Sequence, residues 1–542
     1  MERRDFVRSA AAGSVLAMSG VPVSPESTSV PTVASPDRTQ VAPFALEEAT
    51  VADLQDAMAS GQLTARSITE AYLQRIETLD RTGPALRAVL EVNPDALEIA
   101  DALDAERQAK GPRGPLHGIP VLLKDNLGSA DRMSTTAGSP ALMGVTPTED
   151  SFVVRRLREA GVVLLGKTNL SEWANFRSTH STSGWSSRGG LSRNPYALDR
   201  SPCGSSSGSA VAVSANLAAL AVGTETDGSI LCPASVNGLV GIKPTVGLVS
   251  RTGLIPIAHS QDTAGPMART VRDAAVLLGA MAGVDPADPA AREAEGRPFL
   301  DYTAFLDAGG LRGARLGVAG QYLGFHGQVD RLMEDALEAM RRAGALVVGP
   351  VHVPNGPELA TPELNVLLYE FKADLNAYLA RLGPAAPVKS LRELIAFNEA
   401  NRAEVMRYFG QELFEMAEEK GPLTEPEYRR ALALCQRLSR TEGIDAVLAR
   451  YSLDAIVAPT AGPAWTVDLV HGDRSSGGSS SPAAVAGYPA VSVPMGFVRG
   501  LPVGISFVGA AWTEPILLTL AYAFEQETKA RRPPSFRLSA EV

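Results

Sequence analysis

Cysteine is scarce in this chain of 542 residues, with only Cys203, Cys232 and Cys435 present. That number excludes a disulfide framework and, being odd, leaves at least one thiol free or paired across chains. Histidine is nearly as rare. The six residues (His117, His180, His259, His326, His352 and His471) are scattered, with no His-Glu-x-x-His or Cys-x-x-Cys spacing to hold a metal. Neither a metal nor a cofactor is expected. No apolar run approaches the ~20 residues of a membrane span, so no membrane insertion is expected either. An excess of positive charge is also missing: 50 Lys and Arg stand against 60 Asp and Glu, for a net charge of −10. Such a balance argues against a nucleic-acid partner, which would be met by a basic face. What is there is ordinary for a folded enzyme, with 45% hydrophobic and 20% charged residues.

The N-terminus stands apart. "MERRDFVRSAAAGSVLAMSG" carries Arg3 and Arg4, then Phe6 and Arg8, then a short, weakly apolar stretch. The pattern matches a twin-arginine export signal and implies the twin-arginine machinery as a partner and a periplasmic or secreted location. A segment rich in Pro, Ser, Thr and Val follows, too poor in helical or strand periodicity to pack. Residues 1–40 are read as signal and disordered linker, and 41–542 as a single domain.

From Thr50 onward the periodicity is helical, with Leu54 and Met58 on one face, Gly61 as a stop, and Ile68, Tyr72, Ile76 and Leu79 on the next helix. Asn93-Pro94 reads as a cap and first-turn proline of a third helix ending near Gly111. Short apolar runs of strand length follow at 119–123, 162–165, 220–223, 316–320, 346–348 and 455–459, with helical stretches between them. Strands buried on both faces and alternating with helices predict an α/β fold built on a large, mixed, mostly parallel sheet. Residues 355–450 contain no strand pattern and read as a helical insertion beside the sheet, capping the substrate side. Two β runs around Arg499-Gly500 and a closing helix complete the chain.

Two short motifs fail on context. Residues 161–168, "GVVLLGKT", satisfy the P-loop string, but the intervening residues are apolar or β-branched and read as a buried strand, not a loop curled round phosphate. Residues 204–208, "GSSSG", match the nucleophile elbow around Ser206. That elbow needs a strand immediately before the serine. Here "SRNPYALDRSPC" precedes it, polar and with two prolines. The acid and base it would also need are available only as Asp262 or Asp454 with His471.

The longer stretch "GSSSGSAVAVSANLAALAVGTETDGSILCPASVNGLVGIKPTVG" (204–247) closely resembles the amidase signature family. Further matches are "GPLHGIPVLLKDN" (114–126), "GKTNLSEWANF" (166–176), "QDTAGPMARTVRDAA" (261–275), "DAIVAPT" (454–460) and "AVAGYPAVSVPMGF" (484–497). The resemblance spans about 45 to 535. It implies the family's fold and its Ser-Ser-Lys triad, with Ser229 as nucleophile, Ser205 as proton relay and Lys124 as base. It also implies a cis peptide between Gly204 and Ser205 and an oxyanion hole of backbone N–H groups from Thr226, Asp227, Gly228 and Ser229. The chemistry is coherent on its own terms. A serine hydroxyl attacks well only when a base removes its proton, and a lysine is a base only where burial keeps it neutral.

Most members of the family have Gly where this chain has Asp227, and an Arg shortly after the nucleophile where it has "SILCPA". The strings "KTNLSEWANFR", "GWSSRGG" and "LLYEFKADL" are similar to those of the bacterial peptide amidases within the family. This implies hydrolysis of peptide C-terminal amides to acid and ammonia through an acyl-enzyme. The alternative within the class is a broad aliphatic or aryl amidase. Outside it stand a transamidosome subunit, which the export signal opposes, and a catalytically silent binding protein, which the intact triad opposes. The expected partner is a small-molecule or peptide amide. The sequence carries no signal of oligomeric state, and a monomer is expected.

Overall fold

A computed structural model describes residues 45–354, 357–384 and 386–541. The export signal and linker expected at 1–40 lie outside them.

One sheet of 11 strands runs through the described residues. Its strands are β1 (Val89–Val92), β2 (Pro120–Lys124), β3 (Val163–Thr168), β6 (Leu220–Glu225), β7 (Val240–Lys243), β8 (Thr263–Ala268), β9 (Arg315–Ala319), β10 (Leu346–Val351), β11 (Ala455–Pro459), β12 (Ala490–Val498) and β13 (Leu501–Val508). A separate two-stranded ribbon is formed by β4 (Trp185–Ser186) and β5 (Gly190–Leu191). The order across the large sheet is β1-β3-β2-β6-β8-β7-β12-β13-β11-β9-β10.

Every apolar run singled out in the sequence is a strand of this sheet, and helices flank it. The expected large mixed sheet is present, with its parallel pairing concentrated in two blocks. One block joins β2 to β3 and β6, and the other joins β9 to β10 and β11. The pairs between and beyond the blocks are antiparallel. Burial on both faces marks a strand as interior but does not fix its direction, so the sequence weighted parallel pairing more heavily than the centre of the sheet does.

The helices follow their sequence signals. Thr50 caps Val51–Ala59 through a reciprocal bond with Asp53. The third helix starts at Ala96, two residues later than the Asn93-Pro94 reading placed it. The Asn93 side chain accepts from the N–H of Asp95, so the pair forms a turn before the helix and not its first turn. Between β10 and β11 the described chain is helical throughout, from Pro357–Arg381 to Asp445–Tyr451 with no strand, as the insertion reading expected.

The P-loop string is strand β3. A Cβ on Gly166 would lie 2.3 Å from the carbonyl oxygen of Glu91 on β1. That glycine therefore serves close strand pairing.

Candidate active site

Lys124 is the last residue of β2, and β6 lies beside it in the sheet. The chain reaches β6 through the helix Ser207–Ser214, so the loop 202–206 and the turn 226–229 both fall at the end of β2 where Lys124 projects. Gly204 is required there, because a Cβ would lie 2.1 Å from the Ser171 hydroxyl. The Gly204–Ser205 peptide is cis, as the family resemblance implies.

The Lys124 Nζ lies 2.8 Å from Ser205 Oγ, 2.8 Å from Thr224 Oγ1 and 3.1 Å from the Thr224 carbonyl oxygen. A neutral amine matches this set with two N–H donors and one lone pair for the Ser205 hydroxyl. Burial favours that form: it pushes the lysine down to about 7, against the pull of Asp262 and Glu225. Two other lysines, Lys167 and Lys243, are fully buried. Lys167 points at the Leu127 carbonyl and the Thr135 hydroxyl, and Lys243 at the carbonyls of Pro244 and Tyr488. Of the three, Lys124 alone meets a serine.

Ser229 sits beside the loop, its carbonyl accepting from the Ser206 N–H at 3.1 Å. Lys124 and Ser205 are 0% exposed and Ser229 is 8% exposed, so Ser229 is the one of the three with any access to solvent. The N–H groups of Asp227, Gly228 and Ser229 donate to no acceptor among the described residues. Gly228 adopts φ +73°, the left-handed conformation that lets consecutive amides point to one side. Lys124 and Ser205 thus meet directly, and the turn that carries Gly228 and Ser229 adjoins their loop.

The other expected backbone donors, Thr226 and Asp227, lie in the same turn, and their side chains are held by other partners. Thr226 Oγ1 donates to Asp262 at 2.5 Å, and the two Asp227 oxygens accept from Ser480 at 2.5 Å and Ser481 at 2.6 Å. The Asp227 carboxylate is an anchor of the turn.

Ser206 has a structural task. Its hydroxyl donates to the Thr224 carbonyl at 3.0 Å and accepts from the Thr224 N–H at 3.2 Å. The elbow's remaining partners are dispersed: Asp454 accepts from Arg315, and His471 pairs with Asp468 on the surface. His259 bonds Asp374 at 2.9 Å and faces Glu370 at 3.5 Å, so its two ring nitrogens are directed at different carboxylates.

Several contributors escaped the sequence reading. Glu225 accepts from the N–H groups of Ile230 at 2.7 Å and Leu231 at 2.9 Å, clamping the turn immediately after Ser229. Thr224 holds Lys124 from the neighbouring strand. Both fall within the quoted "GTETDGS", but only the fold shows what they touch. Cys203 and Cys232 form a disulfide with Cα atoms 6.1 Å apart, joining the Ser205 loop to the helix Leu231–Val236 that follows Ser229. The sequence had left that pairing open; Cys435 is the free thiol.

Residues 67–518 match the family model described as Amidase. A probable amidase of Arabidopsis thaliana is 45% identical over 508 residues, covering 91% of this chain and 92% of the relative. One subunit of the glutamyl-tRNA(Gln) amidotransferase of Halorhodospira halophila is 36% identical over 502 residues, covering 89% of this chain and 98% of the relative. Among solved structures, the native peptide amidase from Stenotrophomonas maltophilia superposes with a TM-score of 0.87 at 57% identity, covering 91% of this chain and 100% of that one.

If Lys124 must be neutral to act, the protonated form is the inactive one. The value of kcat/KM should fall about tenfold per pH unit on the acid side of about 7. A pH–rate profile on an amide substrate checks this; a rate that holds level down to pH 5 would remove Lys124 from the base role.

Proposed function

The chain belongs to the amidase signature family and is a hydrolase of amides, and from that premise we propose that it removes C-terminal amides from peptides, using Ser229, Ser205 and Lys124. The observation that carries the catalytic part is the fully buried Lys124 amine held 2.8 Å from the Ser205 hydroxyl. The substrate rests on the likeness to a peptide amidase at 57% identity. The likeness to the amidotransferase, at 36%, is more distant.

In this reading Ser229 Oγ attacks the amide carbonyl carbon while its proton passes to Ser205, whose own proton passes to Lys124. Charge grows on the carbonyl oxygen, opposite the N–H groups of the turn 226–229. One such preorganised donor is typically worth about 3 kcal/mol. The tetrahedral intermediate collapses as the relay runs backward, and the proton reaches the departing nitrogen, which leaves as ammonia. The ester left on Ser229 is hydrolysed by water, which gives its proton to the same relay and restores the Ser229 hydroxyl.

Ser229→Ala is expected to abolish turnover and the acyl-enzyme mass adduct, whereas Ser206→Ala retains most activity. The check is intact-protein mass spectrometry together with liquid chromatography–mass spectrometry of an amidated peptide library. Conversion of amidated peptides, with internal peptide bonds left whole, supports the substrate assignment. Preferential hydrolysis of simple aliphatic or aryl amides would replace it with the broader one. An active Ser229→Ala with an inactive Ser206→Ala would overturn the triad.

We also propose that the protein is exported. Arg3-Arg4 followed by Phe6 supports this, as does the Cys203–Cys232 bridge, since disulfides persist in oxidising compartments. Arg3→Lys with Arg4→Lys should leave the enzyme in the cytoplasm of the producing cell. Undiminished export of that double variant in a fractionation assay would refute the proposal.

A further inference from the structure

The helical insertion reaches the turn that precedes Ser229. Glu363, on the helix Pro357–Arg381, is buried and directed at the Asp227 carboxylate within hydrogen-bond reach. Its Oε1 accepts from Gln261 Nε2 at 3.0 Å, and that same nitrogen lies 3.2 Å from the carbonyl oxygen of Thr226. The turn 226–229 is therefore gripped from outside by two links: Gln261 on the Thr226 carbonyl and Glu363 on the Asp227 side chain.

The chemistry of this contact is constrained. The two Asp227 oxygens already accept from Ser480 and Ser481. No guanidinium or ammonium forms an ion pair with Asp227 or Glu363 among the described residues. Two carboxyl groups in contact, Glu363 buried and Asp227 half-buried, with no such cation paired to either, do not both carry charge; one holds a proton and donates it to the other. Asp227, accepting two hydroxyls, is the stabilised anion. Glu363 is the donor.

We propose that Glu363 is a positioning residue for amide hydrolysis, docking the helical insertion onto the oxyanion turn by donating its carboxyl proton to Asp227. The proposal rests on the reading of Ser229 as nucleophile and of turn 226–229 as the oxyanion site. With Glu363 protonated, the Asp227 side chain is pulled toward the insertion and the amides of residues 227–229 hold their direction. With Glu363 ionised, two like charges face each other and the turn is pushed away from the insertion, so the amides lose their aim at the developing oxyanion. Substrate binding depends less on that aim than the transition state does.

Other titratable groups facing the pair come from several elements. Lys243 on β7 attracts the Asp227 charge, and Glu225 on β6 opposes it. Cys435, on the helix Pro426–Gln436, senses the charge of Glu363, and burial pushes its thiol up to about 12, so it stays protonated through the range of interest. Burial, together with the Asp227 charge, pushes Glu363 up to about 8. Lys243 is pushed down by burial to about 8 and titrates over the same range.

Glu363→Gln separates these origins. The amide oxygen can accept from Gln261 and the amide N–H2 can donate to Asp227, reproducing both links with a group that does not ionise. We expect Glu363→Gln to keep kcat at pH 7 within about threefold of the wild type. The wild type is expected to lose kcat above about pH 8 as Glu363 ionises, and Glu363→Gln is expected to lack that decline. Glu363→Ala should lower kcat at least tenfold at pH 7 with KM changed less than about threefold. An alkaline decline unaltered in Glu363→Gln would assign that limb to Lys243 and overturn the proposal, as would a Glu363→Ala variant with wild-type kcat. If Glu363→Ala fails to fold, the Glu363→Gln profile decides alone. Ser229→Ala run in parallel distinguishes the two readings. An active Ser229→Ala sinks the nucleophile assignment, whereas an inactive Ser229→Ala beside an unchanged Glu363→Gln profile sinks only the role of Glu363.

Discussion

Burying an amine with no carboxylate in contact is unfavourable for the ammonium form, and the site depends on that penalty. Lys124 ends a strand interior to an 11-stranded sheet, where water does not reach its Nζ. Its nearest partners are a serine hydroxyl, a threonine hydroxyl and one carbonyl oxygen. Asp262 and Glu225 act on it only from a distance and do not reverse the effect of burial. A direct ion pair would have kept the lysine charged and useless as a base. The same fold buries Lys167 against a carbonyl and the Thr135 hydroxyl and Lys243 against carbonyls, so burial alone does not set Lys124 apart; a serine hydroxyl within hydrogen-bond distance of the amine does.

The surroundings hold that hydroxyl and the turn in fixed relation. The Cys203–Cys232 bridge ties the loop before Ser205 to the helix after Ser229. Ser206 bonds both the N–H and the carbonyl of Thr224, fastening the loop to the strand that also carries Lys124's partner. Glu225 fixes the turn from below, while Ser480, Ser481, Gln261 and Glu363 fix it from outside. The helical insertion, which supplies no strand to the sheet, thereby acquires a part in the chemistry through a single buried carboxyl.

The sequence made some of this legible and hid the rest for identifiable reasons. Runs such as "IPVLLK" and "AIVAP" announce buried strands because apolar residues fill consecutive positions. Strands β7 and β8, "VGIK" and "TAGPMA", carry glycine, proline and alanine where β-branched residues would have signalled them, and they went unread. The small Val89–Val92 strand includes Glu91 and gives no clear alternation. Strand direction in the centre of the sheet was likewise invisible, since buried strands of either sense look alike. Lys124, Ser205 and Ser229 stand out in the sequence because they fall in long, specific strings. Glu363, Gln261 and Ser480 do not, because their partners lie 35 to 253 residues away in sequence and no local pattern records such contacts.

The account turns on Lys124 being an uncharged amine in the resting enzyme, and its titration can be observed directly. The folded protein would be labelled with 15N-lysine and the Nζ resonance of Lys124 assigned by its loss in Lys124→Met. The shift would then be followed from pH 5 to pH 11. The account predicts an ionisation near pH 7, well below that of the exposed lysines. A Lys124 ammonium that persists above pH 9 would contradict it.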